Sequence, residues 1–284
     1  MVTPTGKLIP IGGSENKDCR EKGDCSISFY NSGILKRIYD EMKGKNPRLE
    51  IVPTASGIPG IVSQRYIKAF NKLGCSDIGV IPVESRQDAL NTEYVDRIKK
   101  ADGIFFTGGD QSRLTRFFGN TPFINTVYQR YLDDDFVVAG TSAGAMAMSL
   151  AMITGNSVNS LMKEGVEMAT GLSFIDNVII DTHFIERDRY NRLGQAIEAN
   201  PGYIGMGLGE DTGLVLKNGT DIEVIGSGQV VIMNNNALGH TSIFQDSIKP
   251  VSSISNMIIH HLAIEDLWDL NEPVHSQYQD LMIS

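Results

Sequence analysis

Short apolar runs alternate with amphipathic segments through the first half of the chain. The runs are rich in β-branched and aromatic residues, which is typical of strands buried on both faces. We predict such strands at residues 8–11, 49–53, 78–83, 103–106 and 136–139. The segments between them carry apolar residues at helical spacing, and we predict helices at residues 29–43, 61–73, 92–100 and 112–118. This alternation favours a mostly parallel sheet covered by helices on both faces.

The pattern changes after residue 150. Further strands are predicted at residues 178–181, 213–216, 221–225 and 229–233, and helical segments at residues 184–199 and 254–267. Glycine-containing turns separate the last three of these strands, which is typical of hairpins. We therefore predict an antiparallel C-terminal edge on the same sheet, and thus an α/β three-layer sandwich. No linker rich in Pro, Gly or Ser divides the chain, so residues 1–284 are expected to form one domain.

The composition narrows the class of protein. A formal net charge of -9 without a dense basic cluster argues against a nucleic-acid partner. No apolar run has the length of a signal peptide or a membrane span, so we expect no membrane partner and a cytoplasmic location; a leader already removed would leave no trace. Cys19, Cys25 and Cys75 form no Cys-x-x-Cys motif and are odd in number, which favours free thiols. Cys19 and Cys25 are nevertheless close enough in sequence to pair.

A serine flanked by glycines follows the predicted strand at residues 136–139. The motif is Gly140-Thr141-Ser142-Ala143-Gly144, and the good helix formers at residues 145–152 predict a helix after it. A serine on a tight corner between a strand and a helix is typical of a nucleophile elbow. The alternative is an ordinary glycine-rich turn, and the strand and helix on either side favour the nucleophile.

A serine nucleophile needs a base and a group that orients the base. His183 directly follows the strand at residues 178–181, at the carboxyl end where loops gather in parallel sheets, so it is the candidate base; a structural histidine is the alternative. Glu210 and Asp211 lie in a glycine-rich turn, and either could orient the imidazole or serve only the turn.

The reaction also needs donors for the oxyanion. Gly108-Gly109 ends the strand that precedes the serine strand, so its amides can face the same space as the amide of Ala143. The two glycines could instead serve only a tight turn. Two backbone donors facing one serine would suit acyl transfer.

Four motifs taken together resemble the cyanophycinases, a group within the S51 family of serine peptidases. The resemblance extends over nearly the whole chain. The motifs are Gly108-Gly109-Asp110-Gln111, Gly140-Thr141-Ser142-Ala143-Gly144-Ala145, Asp181-Thr182-His183-Phe184 with Arg187, Arg189, Arg192 and Leu193, and Gly207-Leu208-Gly209-Glu210-Asp211-Thr212.

The resemblance implies a class I glutamine-amidotransferase-like fold and a role for each matching residue. Ser142 matches the nucleophile, His183 the base and Glu210 the third member, while Gly109 and Ala143 match the oxyanion donors. The positions associated with the substrate pocket are Gln111, Asp181, Thr182, Arg187, Arg189 and Arg192. The implied reaction is hydrolysis of β-aspartyl linkages in multi-L-arginyl-poly-L-aspartate (cyanophycin) to β-Asp-Arg dipeptides through an acyl-enzyme. No metal or organic cofactor belongs to it, and family members are commonly homodimers.

One departure from the family pattern concerns the substrate. Thr182 stands where these enzymes usually carry glutamine, so a substrate contact made by the amide is absent here or supplied by water. Arg189 and Arg192 share a face of the predicted helix and suit recognition of carboxylates, although a solvated charged face is the ordinary alternative. Two other functions remain open: a related S51 exopeptidase acting on short aspartyl or isoaspartyl peptides, and a non-catalytic binding protein on the same fold.

Overall fold

The computed structural model describes residues 2–17, 28–154, 165–235 and 254–271. Its helices are α1 Ile34–Glu41, α2 Pro59–Lys72, α3 Thr92–Ile98, α4 Gln111–Phe118, α5 Pro122–Asp133, α6 Ala143–Met146 and α7 Tyr190–Ala199. Its strands are β1 Lys7–Ile11, β2 Arg48–Val52, β3 Asp77–Val80, β4 Gly103–Phe106, β5 Val137–Thr141, β6 Ala151–Ile153, β7 Met168–Thr170, β8 Val178–Thr182, β9 Ile204–Leu208, β10 Thr212–Lys217, β11 Asp221–Gly226, β12 Val230–Asn234, β13 Ile258–Leu262 and β14 Leu267–Asp269.

An eight-stranded sheet lies at the centre, in the order β14-β11-β10-β1-β5-β4-β2-β3. The five strands from β1 to β3 in this order are parallel, and β10, β11 and β14 continue the sheet antiparallel. In the register of β1 and β5, Ile11 is opposite Thr141, so the carboxyl ends of the two strands lie side by side. The predicted α/β sandwich with a mostly parallel central sheet and an antiparallel C-terminal edge is confirmed.

The two faces of this sheet bury separate apolar clusters. Phe105 and Phe106 are neighbours on β4, and because side chains alternate along a strand they enter opposite clusters. Helices α1 and α2 cover the face of Phe105, and helices α3 to α5 cover the face of Phe106. The sheet is therefore the middle layer, and the loops at its carboxyl end are free to build a site.

A second sheet was not foreseen from the sequence. It has the order β13-β12-β9-β8, so the strands predicted at residues 178–181 and 229–233 lie in this sheet and not on the edge of the central one. Helix α7 packs on it, and Leu193 and Ile197 join the same apolar cluster as Ile179. Periodicity reveals that a strand is buried but does not reveal its partner, which explains the error.

The helix predicted at residues 145–152 is wrong beyond its first turn. Helix α6 ends at Met146, and the chain then enters β6, which pairs with β7. Tertiary hydrogen bonds hold this segment, because Ala147 O accepts from the amide of Leu172 at 2.7 Å and the amide of Leu150 donates to Ile175 O at 2.9 Å. These bonds override the helix propensity of the alanines and methionines.

Other helix boundaries also differ from the predictions. Helix α7 begins at Tyr190, because residues 183–189 form turns that include a positive φ of 49° at Asp188. Residues 254–267, predicted as helical, contain β13 and lead into β14. Helix α5 was missed, although Thr121 caps it and Pro122 occupies its first turn.

Of the three cysteines, Cys75 lies among the described residues. Cys19 and Cys25 lie outside the described residues, so their pairing stays open. Cys75 is a buried free thiol, and burial raises its pKa to about 11. Among the described helices none is long and apolar enough to cross a membrane.

Candidate active site

Ser142 occupies a strained corner between β5 and α6. Its φ of 53° and ψ of -113° are unusual for a residue with a side chain. The corner is held by the Ser142 amide, which donates to Ile11 O at 2.9 Å, and by the Ser142 carbonyl, which accepts from the amides of Ala145 and Met146. A Cβ atom on Gly144 would lie 2.3 Å from Phe106 O, so only glycine allows α6 to approach β4 this closely.

The hydroxyl of Ser142 is hydrogen-bonded to His183. Ser142 Oγ lies 3.0 Å from His183 Nε2, and His183 Nδ1 lies 2.7 Å from Glu210 Oε1. With the proton assigned to Nδ1, the imidazole donates to the carboxylate and accepts from the serine. Nucleophile, base and carboxylate in one hydrogen-bonded line can activate the serine for attack on a carbonyl.

The environment of Glu210 favours the charged carboxylate. Burial alone raises its pKa, but the contacts with His183 and Ser14 and the charge of Arg187 outweigh burial, so the pKa of Glu210 is lowered. The Glu210 amide also donates to Glu186 Oε1 at 3.1 Å, which fixes the backbone at this position. An ionised Glu210 can orient the imidazole and stabilise an imidazolium.

Asp211, the other acid in the same turn, has a different role. Its Oδ1 accepts from the amide of Asn16 at 2.8 Å, and its Oδ2 accepts from the hydroxyl of Ser227 at 2.6 Å. Asp211 itself has a positive φ of 48°. It is therefore the turn-forming acid, and Glu210 is the one of the two that contacts the histidine.

The backbone amides of Gly109 and Ala143 are the candidates for binding an oxyanion. Gly109 has a φ of 145°, a conformation that favours glycine, and Ala143 begins helix α6. Within the described residues neither amide donates a hydrogen bond. Gly108 is also close, since a Cβ atom there would lie 3.8 Å from Ser142 Oγ. The two free donors can face a carbonyl oxygen that is attacked at the serine.

The buried carboxylate of Asp181 holds two of the predicted pocket arginines. Arg192 binds it with Nε at 2.8 Å from Oδ2 and also through Nη2, and Arg189 Nη1 lies 3.0 Å from Oδ1. Arg189 further donates to the carbonyl of Thr182, whose amide donates to Asp181 Oδ1. The Asp181 carboxylate thus balances one of the two guanidinium charges inside the protein. Arg192 is itself buried.

The remaining pocket candidates differ in accessibility. Arg187 is exposed, and its guanidinium makes no hydrogen bond or ion pair to any residue that the structure describes. Gln111 is buried and donates from Nε2 to Ile153 O at 2.9 Å. Thr182 is 1% exposed, and its hydroxyl has no hydrogen-bond partner in the described part of the chain. Among these, Arg187 is the cation most available to a ligand.

The loop after β1 is not among the residues predicted for the site. It contacts the candidate residues directly: the His183 amide donates to Gly12 O at 2.9 Å, and Ser14 lies beside Glu210. The signal available in the sequence was the position of Gly12-Gly13 at the carboxyl end of a strand. In the ranges described, no group of three or more His, Cys, Asp or Glu side chains is arranged to hold a metal ion.

Comparisons with known proteins identify the family. Residues 22–224 match peptidase family S51. The chain is 33% identical over 263 residues to a cyanophycinase from Geminocystis herdmanii, covering 92% of this chain and 93% of that protein. It is 31% identical over 271 residues to a cyanophycinase from Nostoc sp., covering 95% and 87%.

A solved structure shares the fold. The crystal structure of a peptidase from an acI-B1 actinobacterium matches with a TM-score of 0.69 at 23% identity, over 95% of this chain and 99% of that one. This likeness agrees with the class I glutamine-amidotransferase-like sandwich expected from the sequence. The family match covers well over half of the chain. The protein is therefore a peptidase of family S51.

Proposed function

We propose that this S51 peptidase is a serine enzyme that degrades cyanophycin to β-Asp-Arg dipeptides. The observation that carries the proposal is the line from Ser142 Oγ through His183 to Glu210, with distances of 3.0 Å and 2.7 Å. The similarity to cyanophycinases over more than nine-tenths of the chain supports the choice of polymer.

The chemistry of the product defines which bond is broken. A released β-Asp-Arg dipeptide keeps its β-aspartyl bond to arginine. The cleaved amide is therefore the one between successive aspartyl units of the backbone, and not the β-aspartyl linkage expected from the sequence. The carbonyl attacked belongs to that backbone amide, and the leaving group is the amine of the next aspartyl unit.

In the acylation step, His183 Nε2 takes the proton of Ser142 as Oγ attacks the carbonyl carbon. Glu210 holds Nδ1–H and stabilises the imidazolium, while the amides of Gly109 and Ala143 bind the oxyanion. The tetrahedral intermediate collapses when the C–N bond breaks and the imidazolium gives its proton to the leaving amine. The product is an acyl-enzyme with an ester to Ser142.

In the deacylation step, water repeats the sequence. His183 takes a proton from the water as its oxygen attacks the ester, and the same two amides bind the new oxyanion. Collapse breaks the bond to Oγ, and the imidazolium returns its proton to Ser142. Both proposed steps use only protein groups and water, and neither step requires a cofactor.

Recognition of the substrate rests on charge. Cyanophycin carries free carboxylates, and the exposed Arg187 beside Glu210 is available to bind one of them. Arg189 and Arg192 retain part of their positive charge after pairing with Asp181, so they favour an anionic group nearby without offering a free bidentate site. Gln111 and Thr182 contribute to the shape of the pocket in this proposal.

A second candidate is hydrolysis of short aspartyl or isoaspartyl peptides. The burial of the Thr182 hydroxyl and the pairing of two arginines with Asp181 favour it, because one exposed cation can bind a carboxylate of a short peptide but not the row of carboxylates along a polymer. Homodimer formation is retained as a proposal from the family resemblance, and a cytoplasmic location as a proposal from the sequence. Light scattering of the purified protein tests the dimer.

A substrate panel tests the function. The purified protein is incubated with insoluble cyanophycin, with β-Asp-Arg oligomers and with short isoaspartyl dipeptides, and the products are identified by mass spectrometry. Release of β-Asp-Arg from the polymer supports cyanophycin degradation. Cleavage of the dipeptides alone would favour the second candidate, and a protein that cleaves none of them and takes no fluorophosphonate label would be a binding protein.

A further inference from the structure

One loop joins the backbones of the catalytic candidates. In residues 12–16, here called the β1 loop, Gly12 O accepts from the amide of His183 at 2.9 Å and Gly13 O accepts from the amide of Asp211 at 2.8 Å. The backbone at Gly13 also touches the imidazole, since a Cβ atom there would lie 2.4 Å from His183 Cε1. The position of the ring therefore depends on the position of this loop.

The same loop reaches the carboxylate end of the catalytic line. Ser14 lies beside Glu210 and helps to lower its pKa, and the amide of Asn16 donates to Asp211 Oδ1 at 2.8 Å. Ser14 has a positive φ of 51°, a conformation that other contacts must hold in place. Base and carboxylate are thus both supported by the β1 loop.

Glu15 connects this loop to the nucleophile. Its side chain is fully buried, Thr141 donates its hydroxyl to Oε2 at 2.6 Å, and Tyr66 donates its hydroxyl to Oε1. Lys17 Nζ lies 3.0 Å from Oε1. Thr141 is the residue before Ser142, so the Glu15–Thr141 bond links the residues next to two strained corners, Ser14 and Ser142.

The surroundings of Glu15 favour its charged carboxylate. Burial alone raises the pKa of Glu15, but the charge of Lys17 and the hydrogen bonds from Thr141 and Tyr66 outweigh burial, so the net pKa is lowered. An anchor needed only for folding would be served as well by an apolar side chain of similar size. The charged Glu15 side chain connects two segments that carry catalytic candidates, so we infer that it does more than stabilise the fold.

We propose that Glu15 is a positioning residue, which holds Ser142 in the right place relative to the His183–Glu210 pair. The proposal rests on the proposed serine mechanism. Without the carboxylate, the backbone pairing of β1 with β5 remains, but the side-chain bond between Thr141 and the β1 loop is lost, and Ser142 Oγ shifts relative to His183 Nε2. Displacements of about 1 Å in such geometry cost about 100-fold in rate.

The test compares Glu15→Gln and Thr141→Val with the double variant. The matched control is Glu50→Gln, which alters a fully buried carboxylate on β2 that pairs with Arg97 and Arg48 away from the site. Readouts are kcat and KM on a soluble synthetic oligomer of β-Asp-Arg units, and the rate constant and final extent of fluorophosphonate labelling.

We expect Glu15→Gln to lower kcat and the labelling rate constant by about 10- to 100-fold, with KM changed by less than about 3-fold. The double variant should be no slower than the slower single variant, because both act through one contact. Glu50→Gln should keep the wild-type rate constants. A merely structural role would lower the fraction of protein that labels and leave the rate constant of that fraction unchanged.

The outcomes separate two failures. If the wild type is active and Glu15→Gln matches Glu50→Gln in kcat and labelling rate, the positioning role is wrong and the proposed function stands. If wild-type Ser142 neither labels nor turns over substrate, the proposed function fails and the positioning role fails with it. If Glu15→Gln does not fold, Thr141→Val decides: an unchanged kcat in this variant overturns the proposal, and a loss of 10-fold or more supports it.

Discussion

Ser142 Oγ lies 3.0 Å from His183 Nε2, although the two residues are 41 positions apart in the chain. Ser142 follows β5 of the central sheet, and His183 follows β8 of the second sheet. The pair therefore forms where the carboxyl ends of these two strands meet. Both residues have positive φ, 53° and 48°. Two strained corners on rigid strands bring the hydroxyl and the imidazole into contact.

The carboxylate of Glu210 should matter more than that of its neighbour Asp211. Glu210→Gln keeps the size of the side chain but loses the charge that orients His183, and we predict a fall in kcat of about 10²- to 10⁴-fold. Asp211→Asn removes the same charge one residue away and should change kcat by less than about 5-fold, since Asp211 bonds to Asn16 and Ser227. Equal losses in the two variants would contradict the assignment.

The amide of Gly109 should contribute to the rate and not to the binding of substrate. In Gly109→Ala the new Cβ atom would lie 2.0 Å from Ala55 O, so the backbone must shift and carry the amide with it. We predict a kcat about 10²- to 10³-fold lower, as expected when an oxyanion donor is lost. The control is Gly57→Ala, where a Cβ atom meets nothing within 4 Å. A Gly109→Ala enzyme as active as the control would exclude this amide from the oxyanion site.

Removing the charge of Arg187 should affect substrate binding, whereas removing the charge of Arg192 should affect stability. Arg187→Gln should raise KM for β-Asp-Arg oligomers about 10-fold without changing the Tm, because the side chain is exposed and unpaired within the described structure. Arg192→Gln should lower the free energy of unfolding by about 3 kcal/mol, because it leaves the buried Asp181 carboxylate with one arginine. Steady-state kinetics and urea denaturation measure the two effects. A destabilised Arg187→Gln with unchanged KM would reverse this interpretation.

Acid should destabilise the fold through carboxylates whose pKa is lowered in the native state. Burial raises the pKa of Glu41, but the contact with Arg37 and other cations outweighs it; for Glu223 the hydrogen bond from Arg37 is the main cause of the lowered pKa. Because the folded pKa lies below the unfolded value of 4.5, the stabilisation is present above that pH and is lost as the pH falls through the folded pKa.

We therefore predict that the free energy of unfolding decreases as the pH is lowered from about 5 to about 3, with protons taken up on unfolding. Urea denaturation at several pH values measures the slope. In Glu223→Gln one of these groups is absent, so the slope should be smaller. A free energy of unfolding that stays constant or rises over this range would contradict the prediction.

The parallel part of the fold and the serine corner could be predicted because their signals are local. Buried strands such as β4 and β5 are continuous apolar runs, and Gly144 is required where α6 touches Phe106. The length of α6 could not be predicted, because the bond between Ala147 O and the amide of Leu172 joins distant segments.

The roles of the arginines and of the β1 loop could not be predicted for the same reason. Spacing placed Arg189 and Arg192 on one face of a helix, but only the fold shows that both bind Asp181. Glu15 precedes Thr141 by 126 positions, and nothing near either residue in the sequence indicates their contact. Features that depend on a partner far along the chain become visible only in three dimensions.

The most direct test of the mechanism is the clearing of a cyanophycin suspension by the wild type and by Ser142→Ala, with Ser76→Ala as a matched control at an exposed serine. Turbidity follows the polymer, mass spectrometry identifies the soluble product, and circular dichroism verifies that each variant is folded. We predict that the wild type and Ser76→Ala clear the suspension and release β-Asp-Arg, whereas folded Ser142→Ala releases none. Release of the dipeptide by Ser142→Ala at the wild-type rate would contradict the account.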